Sequence, residues 1–318
     1  MPHPALTRRA LLLGGAGALV TATVGGCTPN TLPDLPELVL ATGPPGAVYR
    51  EIGGALADEL QKYLQRTAVR TRASGASVEN LTLLSTNQAQ LGFVSLDAML
   101  ARQTSPVLGV SAVGRLYDSF LHLVVLNNSK VRTAKDLPGL RVAIGAAGSG
   151  TEYTVEKLRR IAGLNFNEVR LTQSEAAKQL EEGTIDAFFT LTGIPTPAIS
   201  EMIRRQVAIR LVPLAEQAEV LASGDSSAYV PATIPKTTYG SYVQPARTVS
   251  VPNLLVARED LPAEVVKIVA NTVFSQADSI AINHPEARRI NRSTGIATGP
   301  VPLHPGAAAW FREYKRLV

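Results

Sequence analysis

A single cysteine, Cys27, in a chain of 318 residues excludes an internal disulfide and any metal site built on paired thiolates. Histidine is nearly as scarce. His3, His122, His284 and His304 lie far apart, and neither HExxH nor GxSxG occurs, so the sequence offers no zinc-protease helix and no nucleophile elbow. His122 sits in an apolar stretch and reads as a packed core residue. Phosphate-binding fingerprints fail too: Gly150 is followed by Thr151 rather than lysine, and GxGxxG cannot be laid over Gly145-Ala-Ala-Gly-Ser-Gly150. The net charge of +5 is too mild and too dispersed for nucleic acid, and two of those charges are Arg8 and Arg9. These absences predict a chain that is not an enzyme and that uses no cofactor, no metal and no nucleic-acid partner. What is present is 45% hydrophobic content, ample for a large core in one long or two ordinary domains.

The N-terminus reads as an export signal over residues 1–26. Arg8-Arg9 precede Ala10 to Val24, an apolar stretch too short to span a bilayer comfortably. Cys27 follows Val24-Gly25-Gly26 directly, which resembles a bacterial lipobox, although that motif more often begins with leucine. Lipid attachment accounts for a lone cysteine at this position. Thr7-Arg8-Arg9-Ala10-Leu11-Leu12 fits a twin-arginine signal in part and an ordinary basic n-region equally well. Residues 27–36, with Pro29, Pro33 and Pro36, predict an extended tether of roughly 3 Å per residue. The chain is then a membrane-anchored lipoprotein facing the periplasm or the cell exterior.

Beyond the tether one order of elements occurs twice. Leu38 to Ala41 reads as a strand, Thr42 to Gly46 as a turn, and Ile52, Leu56, Leu60 and Leu64 as a helical stripe; a strand near Val69 to Arg72, a polar turn to Ser77, a helix through Leu84 and a strand Leu91 to Val94 complete the set. From Val142 the order repeats: a strand to Ile144, a glycine-rich turn, a helix to Ala162, a strand Glu168 to Leu171, the turn Thr172-Gln-Ser174, a helix through Leu180 and a strand Ile185 to Phe189. Alternating strands and helices predict two parallel-rich sheets whose ligand loops lie at the carboxyl ends of the strands. Phe120 to Asn127 and Val249 to Ala257 read as strands joining the halves as a two-strand hinge, with helices over 263–282 and 307–317 returning to the first half. The lobes are residues 37–125 plus 246–318, and residues 126–245.

The second glycine-rich turn has its own chemistry. Ser149 as N-cap with Glu152 three residues on makes a capping box, and Gly163 a C-terminal stop. Such a helix start exposes N–H groups and can receive a carboxylate; a tight turn with an ordinary cap fits the same residues.

The segments ATGPPGAVYREIGGALADEL, SGASVENLTLLSTNQAQLGFVSLDA, GAAGSGTEYTVEKL and GTIDAFFTLTGIPTPAI, followed by VSVPNLLVAREDLP, resemble the TAXI family of solute receptors for TRAP transporters. The resemblance implies an α/β, two-lobed, type II-like periplasmic-binding-protein fold with an inter-lobe cleft, a monomer, an amino acid or organic acid as ligand, and a TRAP membrane permease as partner. Glutamate, glutamine and dicarboxylates all remain open as ligands. A lipid-anchored receptor that presents its bound state to a sensor kinase would need the same cleft. By resemblance, Thr42, Tyr49, Ser77, Asn80, Ser95 and Asp97 bind ligand from one side, and Ser149, Gly150, Thr151 and Thr192 from the other. Capping fits Ser77, Asn80 and Asp97 equally well, and packing fits Tyr49. Where the family has a Gly/Thr-rich first loop before an aromatic pair, this chain has Pro44 and Pro45, which lack N–H donors, and Val48. Arg50 and Arg115 are the arginines nearest in sequence for a carboxylate fork; solvated surface positions suit both.

Several acyl chains on Cys27 would hold the protein stably at a membrane, whereas one would bind marginally. Fractionation of cells expressing wild type and Cys27→Ser is expected to release only the variant from the membrane pellet, with lipid mass on the wild-type N-terminus alone. Equal pelleting without lipid would remove the anchor.

Overall fold

The computed structural model describes residues 35–103, 109–225, 227–240 and 243–317; the export signal, Cys27 and the tether through residue 34 lie outside them. The first half runs β1 (Glu37–Ala41), α1 (Val48–Tyr63), β2 (Ala68–Arg72), α2 (Ser77–Ser85), β3 (Leu91–Ser95) and α3 (Leu96–Gln103). After the long strand β4 (Val110–Leu126) come β5 (Arg141–Ala143), α4 (Gly150–Ala162), β6 (Asn167–Val169), α5 (Gln173–Glu181) and β7 (Ala187–Thr192). The order predicted from sequence is therefore present in both halves. Next follow α6 (Pro197–Arg204), β8 (Ile209–Leu211), α7 (Ala215–Gly224), β9 (Val230–Ile234) and the second long strand, β10 (Ala246–Arg258). The chain closes with α8 (Ala263–Ser275), α9 (Ala277–Ile280), α10 (Arg292–Gly295) and α11 (Pro305–Leu317).

Two separate sheets were expected, and here the structure differs: all ten strands share one sheet, with backbone order β2-β1-β3-β10-β4-β7-β5-β6 and with β8 on β4 and β9 on β10. The reason is the length of β4 and β10. β4 begins ten residues before the expected Phe120, because Val110 to Leu116 is almost wholly buried and the pair Arg115 and Asp118 interrupts the apolar run without ending the strand. The two long strands lie antiparallel, with Arg258 opposite Val110 and Ser250 opposite Phe120, so each passes through both halves. Parallel pairs flank them on both sides: β1 with β2 and β3, and β5 with β6 and β7. Pro252 cannot donate to the ladder, and the register shifts between Pro252 and Leu254. The predicted helix over 263–282 is likewise broken, at Gln276, into α8 and α9.

Local sequence explains the helices that position the site. In α1 the stripe Ile52, Leu56 and Leu60 is buried, with Glu51 in the first turn and Lys62 in the last, which complements the helix dipole. Thr172 caps α5 in a full capping box with Glu175. Among the described residues no helix is long and apolar enough to cross a membrane.

The C-terminal helices do return to the first half. Leu38, Leu40, Ile52, Leu56 and Phe93 share a core with Val266, Val269, Phe274, Trp310 and Phe311. Phe274 is the centre of an aromatic cluster, with ring centroids 5.4 Å from Trp310 and 5.2 Å from Phe311. Its ring also fills the space above Gly114 and Gly295, where a Cβ would meet it at 2.6 and 2.5 Å. Phe274→Ala is expected to destabilise the protein by about 3–5 kcal/mol, read as a lower urea midpoint at an unchanged slope. A loss under about 1 kcal/mol would mean that the C-terminal helices collapse onto the gap or contribute little.

Candidate functional site

The carboxyl ends of the parallel strands in both halves face one cavity, in which about 40 Å³ is open to the centre of a water molecule. Its wall is made by the starts of four helices: Ala47 to Tyr49 of α1, Ala76 and Ser77 of α2, Ser149 to Thr151 of α4, and Thr172 and Gln173 of α5. Ser95, Ser119, Leu191 and Thr192 at strand ends complete it, with Pro44, Gly75, Gly145 and Ala146 from the loops. Each helix start carries roughly half a positive elementary charge on amides that lack an intrahelical acceptor.

The start of α4 follows the expected cap in part. Ser149 Oγ accepts from Glu152 N–H at 3.0 Å, whereas the Glu152 carboxylate accepts from Gly148 N–H at 2.7 Å rather than from Ser149, whose N–H is taken by the Ala146 carbonyl. Gly163 ends the helix at φ +63°. Thr151 Oγ1 accepts from Leu191 N–H at 3.0 Å, which ties the helix to β7. Gly150 is pressed against the other half, since a Cβ there would lie 2.9 Å from Ser77 Oγ and 3.0 Å from Ser95 Oγ. A side chain at this position would have to displace the Ser77 and Ser95 hydroxyls.

From the first half, Ser77 Oγ accepts from Ser95 N–H at 3.0 Å, and the Tyr49 hydroxyl donates to Asn253 Oδ1. Burial raises the Tyr49 hydroxyl above the usual tyrosine range, so it stays protonated and can donate. Asn253 in turn donates to Ser119 Oγ at 2.8 Å and to the Tyr117 carbonyl at 3.1 Å. Ser95 Oγ is buried and has no hydrogen-bond partner among the described residues. α2 lacks a side-chain cap; instead the Gly148 carbonyl reaches across and accepts from Val78 N–H at 3.1 Å and Glu79 N–H at 3.0 Å. Ala76 enters this turn at φ +92°, a conformation that costs a non-glycine residue about 1–3 kcal/mol.

Of the residues nominated from sequence, Tyr49, Ser77, Ser95, Ser149, Gly150, Thr151 and Thr192 line the cavity together, and Thr42, Asn80 and Asp97 do not. Thr42 Oγ1 donates to the Arg72 carbonyl at 3.0 Å, bracing the first loop. Asn80 Nδ2 donates to Thr42 and Phe93 carbonyls at 2.7 and 2.8 Å, and its backbone N–H holds the Ala76 carbonyl at 2.7 Å. Asp97 sits behind the wall, where it accepts from Thr154 at 2.5 Å and Tyr229 at 2.9 Å, joining α3 to elements of the second half. Neither arginine reaches the cavity: Arg50 is exposed and Arg115 pairs with Asp118 at 2.7 Å. Sequence reasoning missed Ser119, Asn253, Thr172 and Gln173. Asn253, a fully buried amide in the apolar run of β10, was the one with a signal.

Beside the cavity, Glu286 is buried against the turn that follows Thr192. A Cβ on Gly193 would meet Glu286 Cγ at 3.0 Å and the Tyr117 ring at 2.9 Å. Glu286 Oε2 pairs with Arg289 at 3.2 Å, and Oε1 has no hydrogen-bond partner among the described residues. Burial pushes this carboxyl up to about 7, opposed by Arg289 and assisted by Asp118. His284 donates from Nε2 to the Pro195 carbonyl at 2.9 Å, while its Nδ1 accepts from Glu286 N–H at 3.1 Å. His122 is a packed residue, its Nδ1 bonded to the Phe120 carbonyl at 2.8 Å, and burial lowers it to about 4. Among the described residues no three His, Cys, Asp or Glu side chains form a group that could hold a metal.

A match to the NMT1-like family covers residues 40–314. Three solved structures share the fold: an ancestral arginine-binding protein bound to arginine (TM-score 0.52, 14% identity, 80% of this chain and 98% of that one), a periplasmic transporter (0.52, 13%, 90% and 94%) and a Xanthomonas citri protein bound to ATP (0.50, 12%, 88% and 96%). The architecture is that of the periplasmic binding proteins, a mixed α/β fold around a mixed sheet.

The Glu286 carboxyl gives the fold a pH signature. Because its folded pKa lies above the ordinary value of 4.5, its contribution is complete below 4.5 and is lost as pH rises through about 7. His122 acts in the opposite sense, losing its contribution as pH falls from 6.5 through about 4. Glu286→Gln is expected to abolish the first component alone, so that its stability relative to wild type improves by on the order of 2 kcal/mol between acid and neutral pH. Parallel stability–pH curves for the two proteins would remove the buried, protonated carboxyl.

Proposed function

The chain belongs to the NMT1-like family, and we propose that it is an extracytoplasmic solute-binding protein that captures a small organic anion in the cleft and passes it to a membrane permease. The observation that carries this reading is the convergence of four helix starts and a set of hydroxyls on one cavity, with the partnerless Ser95 Oγ in its wall. The names of the structural neighbours, an arginine-binding protein and a periplasmic transporter, accord with it.

The finer parts rest on the resemblance to TAXI receptors. The permease is of the TRAP type, the protein is held at the membrane through Cys27, and the lobes are residues 37–125 plus 246–318 and residues 126–245, hinged on β4 and β10. Ligand contacts come from Tyr49, Ser77 and Ser95 on one lobe and Ser149, Gly150, Thr151 and Thr192 on the other. Thr42, Asn80 and Asp97 act behind them as supports. Closure is favoured because a ligand touching both lobes exists in full only when they meet.

Gly150→Leu and Ser149→Ala separate this reading from a purely structural corner. Small organic anions at about a hundred times their Kd should stabilise wild type by about 2.7 kcal/mol. Gly150→Leu should lose that response while remaining folded. Ser149→Ala should lose about 1 kcal/mol without any ligand, through the missing cap. A folded Gly150→Leu protein that is stabilised as much as wild type would move the ligand out of this cavity.

A further inference from the structure

We infer that the cleft takes a short-chain monocarboxylate without an amino group, in preference to an amino acid or a dicarboxylate. This rests on the reading of the cleft as a solute site and narrows its ligand class.

The wall contains no charged side chain among the described residues, only hydroxyls, one amide, backbone and apolar groups. Of the carboxylates in the first turns of the four helices that begin at the wall, Glu51 of α1 lies outside the wall and the other three are already committed. Glu79 accepts from Gly75 N–H at 2.6 Å, Glu152 from Gly148 N–H at 2.7 Å and Arg170 at 2.5 Å, and Glu175 from Thr172 N–H at 2.8 Å. Asp97 is held behind the wall by Thr154 and Tyr229. An ammonium entering the cavity would lose its water and find no carboxylate in exchange.

The field points the same way. The starts of α1, α4 and α5 face the cavity with partial positive charge, which attracts one carboxylate and repels an ammonium placed beside it. α2 contributes less, because two of its amides already serve the Gly148 carbonyl. A second carboxylate would need a cation of its own, and Arg50 and Arg115 are both outside the wall. Ser95 Oγ supplies an independent pointer: it is 1% exposed and partnerless, and it lies beside the start of α4, ready to donate to an anion there.

Size and polarity set the remainder of the ligand. Pro44, Ala47 and Val48 from one half and Ala146 and Leu191 from the other add apolar lining suited to a hydrocarbon body. The 40 Å³ open to water centres corresponds to roughly three water molecules, which suits a short chain.

Matched pairs test the charge argument by calorimetry on protein lacking residues 1 to 27: propionate against alanine, 2-oxobutyrate against 2-aminobutyrate, and butyrate against succinate and glutamate. The amine-free monocarboxylate of each set is expected to bind on the order of a hundredfold more tightly. Ser95→Ala should weaken that binding about tenfold and leave unfolding unchanged, since the hydroxyl has no protein partner to lose. An amino acid or dicarboxylate that binds as tightly as its partner, and loses binding in Gly150→Leu, overturns this ligand class while leaving the cleft as the solute site. If no member binds at millimolar concentration, the cleft reading and the ligand class fall together.

Discussion

The start of α4 enters the cleft because residue 150 has no side chain. A methyl group at that position would sit within van der Waals radii of Ser77 and Ser95, and both belong to the facing half. The proposed anion site depends on that approach: it brings the α4 amides opposite Tyr49 and Ser95, and Thr154 and Asp97 meet one turn further on. The requirement is steric, because any larger residue must push aside the Ser77 and Ser95 hydroxyls to keep the same approach.

In the proposed reading, the neutral wall solves a solvation problem. A guanidinium in the cavity would bind a carboxylate strongly but would have to be desolvated each time the cleft closed. Fixed peptide dipoles carry no such charge to desolvate and are already oriented by the helices they begin. Selectivity then depends on what the wall omits as much as on what it contains, because an unpaired ammonium or second carboxylate is penalised by the same low-polarity surroundings that strengthen the first contact.

Much of this was legible before the structure, and the reason lies in how each feature is encoded. Periodicity and glycine-rich turns are local, so the repeated order of strands and helices, the Ser149 cap and the Gly163 stop could be read directly. Seven nominated residues lie around the cavity because they sit at the ends of strands or at the helix starts that follow them, where α/β sheets place ligands. Thr42, Asn80 and Asp97 lie in the same regions, after β1, in the first turn of α2 and in the first turn of α3, but their side chains bond the backbone or Tyr229, and side-chain direction is not encoded in position along the chain. The single sheet was hidden because Arg115 and Asp118 pair with each other within β4, a pairing that only the folded strand brings about. Ser119 was missed because it lies in the part of β4 that precedes the expected start at Phe120, and Asn253 because the direction of its amide within an apolar strand is not legible in sequence.

The tie between the Gly148 carbonyl and the first amides of α2 is made wholly of main chain. No substitution can delete its donor or its acceptor, short of proline on the donor side. Side-chain truncation therefore leaves its donors and acceptor in place, whereas Gly75, Gly148 and Gly150 hold the backbone that brings them together. Specificity in such a cleft can change one hydroxyl or one apolar side chain at a time without the means of closing it having to be reinvented.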